Sequence, residues 1–134
     1  SWLLTPERYM VAQSRQTYAY CLAFHMSGEP RYWNWCRAGA NAIRSAWIEA
    51  ESRVVFTRHD LRNNRYGPRL EFRNAQELAY GLLGLSMYYF VSRDPGALDD
   101  ILSTKDFILG RLYDPQANTI NWQLDSNGSE RWDA

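Results

Sequence analysis

Residues 21–39 read CLAFHMSGEPRYWNWCRAG, and this stretch decides the predicted fold. Apolar and aromatic residues recur at helical spacing up to Ser27-Gly28, where a glycine is suited to end a helix, and Pro30 is suited to begin the next one. Because only about two residues separate the two helices, the second must run back along the first. The stretch therefore predicts an antiparallel pair of helices joined by a tight turn.

Start and stop signals of the same kind predict four helices in all. Thr5-Pro6-Glu7 places a capping threonine, a proline and an acid where the first helix would begin. Asp94-Pro95 repeats the tight turn between the third and fourth helices. The first and third helices are expected to lie side by side and roughly parallel, with the second and fourth outside them. The four helices are expected over 6–27, 31–50, about 70–93 and 96–112.

Two units with the same order of features follow each other along the chain. QTYAY (16–20) matches QELAY (76–80) at a displacement of 60. Gly28-Glu29-Pro30 matches Arg93-Asp94-Pro95 at a displacement of 65, which predicts an insertion between the two matches that makes up the difference. Two extended segments with hairpin-like alternation share the larger displacement and are expected at the same end of the molecule. These segments are VVFTRHD (54–60) and TINWQLD (119–125).

The length of these units favours one class of helical repeat. The units cover about 6–65 and 70–130, whereas a tetratricopeptide unit has ~34 residues and an armadillo or HEAT unit ~40–47. Two full helices and an extended segment in each unit favour an all-α fold of the α/α toroid type. The chain, 1–134, is then a single partial domain that supplies about two helical hairpins plus short β-hairpins. Two hairpins leave open flanks, so the chain is expected to be part of something larger.

The composition excludes several classes of function. Hydrophobic residues make up 46% and charged residues 22% of the chain, as in globular proteins. Fifteen basic and fifteen acidic residues cancel, so neither nucleic acid nor an anionic membrane is an expected partner. No apolar run approaches the roughly 20 residues of a membrane span, and the start, SWLLTPER, is too short and polar for a signal peptide. Cys21 and Cys36 lack metal-site or disulfide-framework spacing and are expected to be buried free thiols in the cytoplasm.

The aromatic content of 15%, with six Trp and nine Tyr, has two interpretations. Such rings fill a core, or they line a carbohydrate site, because sugar faces stack on aromatic rings. Two hairpins cannot cover all of the aromatic residues on their flanks, so self-association or further segments of a longer chain are expected. The residues concerned are Trp33, Trp35, Trp47, Tyr88, Tyr89 and Phe90.

Arg15 is the outstanding candidate for a functional residue. It lies within YMVAQSRQTYAYC (9–21), where helical spacing places Val11, Tyr18 and Leu22 on its face. A charge on such a face is costly unless it is paired or lines a wet cavity. Two hypotheses therefore stay open, in which the guanidinium lines a ligand pocket or forms a buried ion pair with an acid on another helix.

The stretch from 9 to 39 resembles the N-acylglucosamine 2-epimerase family, which includes the cellobiose 2-epimerases and related aldose–ketose isomerases. That family typically has a helix of the form hydrophobic-Gln-x-Arg-Gln-x-aromatic, and here Gln13, Arg15, Gln16 and Tyr18 stand at those places. A Gly-x-Pro turn and an alanine-rich second helix follow in both. NAQELAYGLLGLSMYYFVSRDPGAL (74–98) resembles the next inner helix of the family, and DPQANTINWQLDSNGSERW (114–132) resembles its next hairpin. The resemblance covers most of this chain and about a third of a full family member.

This resemblance implies a six-hairpin α/α barrel whose inner helices surround a sugar pocket. It also implies epimerisation or isomerisation by proton abstraction next to the sugar carbonyl, without a cofactor or a metal. A pair of histidines would perform the proton transfer, but in the family they lie in later hairpins, so this stretch supplies no catalytic residue. The candidate substrate-binding residues are Arg15, Tyr9, Gln13, Gln16, Asn74 and Gln76, and structural hydrogen bonding is the alternative role of Gln13 and Gln16. The chain departs from the family at Asn74, where many members have tyrosine, and at Ser52-Arg53, where a Gly-Gly pair is usual.

Two other classes of function remain open. One is a non-catalytic helical-repeat scaffold that binds a sugar or a protein. The other is an α/α-barrel glycoside hydrolase or lyase, for which Asp60 and Asp125 are the only repeat-matched acids near the expected mouth. The two histidines are not expected to form a catalytic pair, since His25 ends a helix at the short-loop end and His59 is expected to be an exposed polar residue of a hairpin.

Overall fold

The computed structural model describes residues 6–124 and 127–129. Four α-helices dominate this part of the chain, which confirms the predicted all-α class. They are α1 (Met10–Ser27), α2 (Pro30–Ala46), α3 (Ala75–Ser92) and α4 (Pro95–Phe107). A 3₁₀ turn at Leu70–Phe72 precedes α3, and a π-helical turn at Ile108–Leu112 follows α4.

Short antiparallel strands lie next to the N-terminal ends of the inner helices. A three-stranded sheet contains β1 (Glu7–Tyr9), β2 (Arg58–Asp60) and β3 (Arg65–Gly67), with β2 in the centre. A separate hairpin pairs β4 (Tyr113–Asp114) with β5 (Thr119–Ile120). The sheet fixes where α1 enters the helical layer, because β1 leads directly into that helix.

The first helix begins later than the sequence predicts. Residues from Glu7 to Tyr9 are extended and pair with β2, and the Met10 N–H donates to the carbonyl oxygen of Thr57 at 2.9 Å. The predicted start at Pro6 is therefore wrong, because the strand ladder satisfies the backbone groups that a helix would have used. Thr5, the predicted capping residue, lies outside the described residues. The second helix also ends earlier than predicted, at Ala46.

The two tight turns have the predicted form. Gly28 adopts a left-handed φ of 69° and donates its N–H to the carbonyl of Phe24. Arg93 takes the same place after α3 with a φ of 56°. Pro30 and Pro95 each occupy the first turn of the following helix. Each outer helix therefore runs back along its inner partner.

The two helix pairs are related by a constant displacement of 65 in residue number. Met10 and Ser27 bound α1, and Ala75 and Ser92 bound α3 with the same offset at each end. The hydrogen bond from the Met10 N–H to Thr57 recurs with this offset, from the Ala75 N–H to the carbonyl of Trp122 at 2.9 Å. The predicted insertion is wrong, because the match of 16–20 with 76–80 is coincidental and lies out of structural register.

The inner helices α1 and α3 lie parallel and very close together. The Ser14 hydroxyl donates to the carbonyl of Tyr80 at 2.7 Å and accepts from the N–H of Gly84 at 2.8 Å. Further along both helices, the ring of His25 lies edge-on to Phe90 with 5.1 Å between centroids. Contacts therefore advance in the same direction on both helices, as predicted. The hairpin segments 54–60 and 119–124 consequently lie at the same end of the molecule, since each bonds to the start of an inner helix.

The outer helix α2 is joined to α1 by a disulfide bond between Cys21 and Cys36, whose Cα atoms are 4.8 Å apart. Both residues are fully buried. The prediction of free thiols is wrong, because facing positions of two antiparallel helices bring the cysteines together although they are 15 positions apart in the sequence. Phe24 and Trp33 continue this interface at 5.2 Å between ring centroids.

A buried carboxylate connects the two helix pairs. Asp100 on α4 accepts a hydrogen bond from Arg44 on α2 at 2.9 Å and another from Arg53 at 2.8 Å. Arg44 also binds Asp94, the N-cap residue of α4. The pKa of the Arg44 guanidinium is raised by these two carboxylates, against the opposing effect of burial. The network holds α4 against the first hairpin.

The aromatic residues divide between core and surface. Trp47 and Tyr88 are buried in the core, contrary to the expectation that they lie on uncovered flanks. Trp35 and Phe90 remain 46% and 49% exposed, as expected. No helix in the described part of the chain is long and apolar enough to cross a membrane.

Candidate functional site

One face of the α1–α3 pair is left open by the outer helices. On α1, Ser14 contacts α3 and Phe24 contacts α2. Arg15 follows Ser14 by one position and precedes Phe24 by nine, and at 3.6 residues per turn nine positions place it on the side opposite α2. Arg15 is exposed in the described structure. The guanidinium therefore belongs to the open face and not to the core.

Tyr80 occupies the matching place on α3. It corresponds to Arg15 under the same displacement that relates Met10 to Ala75 at the helix starts. It follows the buried Leu78 by two positions, or about 200° around the helix, so it lies away from the core. Tyr80 is 43% exposed. Because the carbonyl of Tyr80 accepts from Ser14, Tyr80 and Arg15 stand at the same height on adjacent helices.

The open face extends in both directions from this pair. Gln76 is exposed one turn before Tyr80, toward the hairpin end of α3. Tyr18 and Leu83 lie about one turn deeper, and Tyr18 is half-buried. We call the surface formed by Arg15, Tyr18, Gln76, Tyr80 and Leu83 the open face. It combines a cation, an amide, two phenol rings and an apolar side chain on two rigid helices.

Arg15 has no acidic partner within residues 6–124 and 127–129. No ion pair, hydrogen bond or ring contact of its guanidinium occurs among these residues. The hypothesis of a buried ion pair is therefore not realised in this part of the chain. None of the five N–H donors of this planar cation is therefore occupied by a residue of 6–124 or 127–129.

Tyr9, Gln13 and Gln16 lie on a different side of α1. Tyr9 and Gln13 border a groove of about 690 Å³ that Trp47 closes on one side. The hydroxyl of Tyr9 donates to Glu7 at 2.9 Å, and this hydrogen bond together with the negative charge raises the pKa of Tyr9. Gln16 lies on the same groove and donates to the hydroxyl of Tyr20 at 3.2 Å. These three candidates therefore cluster with one another and not with Arg15.

Asn74 serves the backbone of α3. It is the N-cap residue, and its side-chain oxygen accepts from the N–H of Glu77 at 2.8 Å. The residue is almost completely buried. Its amide oxygen is thus engaged in capping, a role in which asparagine is among the preferred residues.

The two histidines lie apart from Arg15. His25 is in the last turn of α1, about 15 Å from Arg15 along the helix axis. His59 is buried, contrary to the expectation of an exposed hairpin residue. Its ring stacks on Tyr66 at 3.9 Å between centroids, and its Nε2 lies 2.8 Å from the side-chain oxygen of Asn64. The hairpin is closed over the core by Trp47, which explains the burial of His59.

The acidic candidates do not converge within the described residues. Asp60 pairs with Arg62 on the hairpin, and the pKa of its carboxyl is lowered mainly by the Arg62 backbone N–H that donates to it. Asp125 lies outside the described residues. No group of three or more histidine, cysteine or acidic residues in the described ranges has the arrangement of a metal site.

No family model and no curated protein matches this sequence. Solved structures do match its fold. A cellobiose 2-epimerase from Spirochaeta thermophila DSM 6192 matches with a TM-score of 0.78 at 19% identity, over 96% of this chain and 31% of that chain. A D-mannose isomerase matches with a TM-score of 0.72 at 12% identity, over 96% and 33%.

The chain has the fold of part of an α/α toroid. This finding confirms the fold that the resemblance to the epimerase family implied. The chain spans about a third of the length of the solved structures that it matches. A GH76 α-mannanase from Bacteroides thetaiotaomicron has the same fold, with a TM-score of 0.76 at 6% identity over 90% of this chain and 33% of that chain. The fold is therefore shared by different reactions and does not choose among them.

Sequence reasoning did not identify Tyr80 as a member of the open face. The signal was present, because the displacement between the two proline turns leads from Arg15 to Tyr80. The coincidental match of 16–20 with 76–80 pairs Gln16 with Gln76 instead. Gln76 and Tyr80 are both on the open face, one turn apart.

Proposed function

We propose that this chain forms part of a carbohydrate 2-epimerase or aldose–ketose isomerase, and that the open face is part of its sugar pocket. One observation carries the proposal. Arg15 is held on a rigid inner helix without an acidic partner in the described residues, beside Tyr80, in a fold that sugar epimerases and isomerases share. A free guanidinium next to aromatic rings suits a polyhydroxylated ligand, because it donates several hydrogen bonds while the rings contact the apolar sugar face.

The chemistry that suits this arrangement is the removal of the proton next to the sugar carbonyl. Its product is an enediolate, which carries negative charge on oxygen. Arg15 would donate hydrogen bonds to that charge and stabilise it. The base and the acid are expected outside this stretch, because His25 lies at the far end of α1 and the ring of His59 is stacked in the core. No cofactor enters this proposal.

The six candidate substrate-binding residues would then have different roles. Arg15 and Gln76 are proposed to contact the sugar, Arg15 at the reacting carbons and Gln76 nearer the mouth. Tyr9, Gln13 and Gln16 lie on the groove on the other side of α1, so they would contact substrate only where it extends beyond the pocket. Asn74 would act by capping α3 and so holding Gln76 in place.

The proposed partner is a small carbohydrate. The predicted cytoplasmic location depended on Cys21 and Cys36 being free thiols. Their disulfide bond removes that argument and favours an oxidising compartment, where such bonds persist.

The proposal is tested in the protein at its full natural length. Aldoses, including D-mannose and cellobiose, are incubated with the protein in D₂O, and NMR follows both the new epimer or ketose and deuterium at the carbon beside the carbonyl. Arg15→Ala and Arg15→Lys are each expected to lower turnover about a hundredfold, because a hydrogen bond to a developing negative charge is lost or misplaced. Their melting temperatures are expected to stay close to that of the wild type, since Arg15 packs against little.

Arg37→Ala is the matched control, because Arg37 is exposed on the outer helix α2. It is expected to leave turnover unchanged. A strong loss of stability in Arg15→Ala with unchanged turnover per folded molecule would reject Arg15 as a site residue. Hydrolysis of an α-mannan without epimerisation would favour the hydrolase alternative, and sugar binding without turnover would favour the scaffold.

A further inference from the structure

We infer that Tyr80 is a substrate-stacking residue whose ring supports the apolar face of a pyranose while Arg15 binds its oxygens. This inference rests on the proposed function and adds a residue that the sequence resemblance does not supply. Its substrate class is an aldose in ring form, or the first ring of a short saccharide.

The position of Tyr80 is fixed by backbone contacts. Gly84 approaches α1 so closely that a Cβ atom there would lie 2.6 Å from the carbonyl oxygen of Ser14. The hydroxyl of Ser14 binds the carbonyl of Tyr80 and the N–H of Gly84. The backbone of Tyr80 therefore stands level with Arg15, one turn before the close contact of Gly84 with α1.

The side chain of Tyr80 is available to a ligand. It is 43% exposed, and its hydroxyl makes no hydrogen bond among residues 6–124 and 127–129. In contrast, Tyr9, Tyr20 and Tyr113 each have a hydrogen-bonded hydroxyl. Tyr80 and Arg15 are adjacent in position on the two inner helices, and neither the Tyr80 hydroxyl nor the Arg15 guanidinium has a hydrogen-bond partner among the described residues.

The surroundings of Tyr80 match the two-sided character of a pyranose. Leu83 and Tyr18 lie one helical turn farther from the hairpin end and provide an apolar and an aromatic side chain. Gln76 lies one turn nearer the hairpin end and provides hydrogen-bond donors and an acceptor. A pyranose has C–H groups on its faces and hydroxyl groups around its rim. Its face would lie on the Tyr80 ring, and its rim would meet Arg15 and Gln76.

Three variants test the role of the ring in the protein at its full natural length. Tyr80→Leu removes the ring and keeps an apolar side chain, and Tyr80→Phe removes only the hydroxyl. Phe90→Leu is the matched control, because Phe90 is an exposed aromatic residue on the same helix. It lies about 15 Å farther than Tyr80 from the hairpin end of α3. Calorimetry measures Kd for D-mannose and cellobiose, and steady-state assays measure KM and kcat.

Tyr80→Leu is expected to raise Kd and KM about three- to tenfold, which is the range for one aromatic contact, with kcat changed less than about threefold. Tyr80→Phe is expected to stay within about twofold of the wild type, and Phe90→Leu is expected to have no effect. A Tyr80→Leu protein that binds as the wild type does would overturn the inference. So would a loss in Tyr80→Phe or Phe90→Leu as large as that in Tyr80→Leu.

The outcomes separate this inference from the proposed function. Turnover that depends on Arg15 but not on Tyr80 would reject the stacking role alone. Sugar binding that depends on Tyr80 in a protein without epimerase or isomerase activity would reject the proposed reaction and support the stacking role.

Discussion

Replacing Gly84 with alanine should separate the two inner helices and destabilise the protein. The new Cβ atom would lie 2.6 Å from the carbonyl oxygen of Ser14, and 3.1 Å from both the Ser14 hydroxyl and the Thr17 Cβ. A backbone oxygen in a helix cannot move without the helix, so α1 must shift away from α3. The shift would lengthen the hydrogen bond that Ser14 donates to the carbonyl of Tyr80 and the one that it accepts from the N–H of Gly84.

The change in the free energy of unfolding is the sum of two losses and one gain. Overpacking of a close contact typically costs ~1–3 kcal/mol. Weakening the hydrogen bonds of Ser14 costs ~0.5–1.5 kcal/mol for each bond that is lost. The better helix propensity of alanine returns up to ~1 kcal/mol. The free energy of unfolding should therefore fall by about 2–3 kcal/mol.

Urea unfolding followed by circular dichroism measures this change. Gly110→Ala is the control, because nothing lies within 4 Å of a Cβ atom built there; it should change the stability by less than ~1 kcal/mol. Because Arg15 and Tyr80 stand on opposite sides of the Ser14–Gly84 contact, Gly84→Ala should also weaken the sugar binding that we propose for the open face. A Gly84→Ala protein at least as stable as the wild type would refute the close packing of α1 on α3.

Three further predictions concern the rest of the fold. Asp100→Ala should lower the free energy of unfolding by about 2–3 kcal/mol, because the half-buried Arg44 loses a buried carboxylate partner; urea unfolding measures it. Replacing Cys21 and Cys36 together with serine should lower it by about 3 kcal/mol, the value expected for a closed loop of about 15 residues. Asp60, whose pKa is lowered on folding, contributes stability that is present above the ordinary carboxyl pKa of ~4 and is lost as the pH falls through the lowered value. Urea midpoints from pH 6 to pH 2.5 should therefore fall less in Asp60→Asn than in the wild type.

Each of these predictions has a result that would contradict it. Asp99→Ala, next to Asp100 but exposed, should be nearly neutral, and equal losses in the two variants would contradict the role of the buried network. Alkylation of both cysteines in the unreduced native protein would disprove the disulfide. A carboxyl pKa of Asp60 at or above its ordinary value, measured by NMR titration, would contradict the hydrogen bond from the backbone of Arg62.

The sequence by itself determined the helical hairpins. Gly28 and Pro30 act within one or two residues of their own position, since a left-handed residue is suited to end a helix and proline is suited to its first turn. The antiparallel direction of α2 follows from the shortness of that turn. Local rules of this kind were sufficient for the fold class, and they failed at Pro6, where pairing with the distant strand β2 decided the backbone conformation.

The tertiary structure alone decided which distant residues meet. Cys21 and Cys36 are equally far from the turn at Gly28-Glu29, but they share a bond only because packing rotates both helices so that the two side chains face each other. His59 is buried because the hairpin that carries it closes over Trp47. The sequence offers displacements of both 60 and 65 between the two units, and only the hydrogen bonds at the helix starts decided for 65, since a few matching residues in a helix carry little information about register.

The candidate site likewise combines a residue selected from the sequence with one that the packing of the helices revealed. Arg15 was selected from the sequence as a cation among aromatic residues at helical spacing, and its role in a sugar site stays a prediction. Tyr80 was missed, because the coincidental match of 16–20 with 76–80 obscured the displacement that pairs it with Arg15, and its distance from Arg15 depends on the close approach of α1 to Gly84. Side-chain type is a local property of the chain, whereas the neighbours of a side chain depend on how separate helices pack.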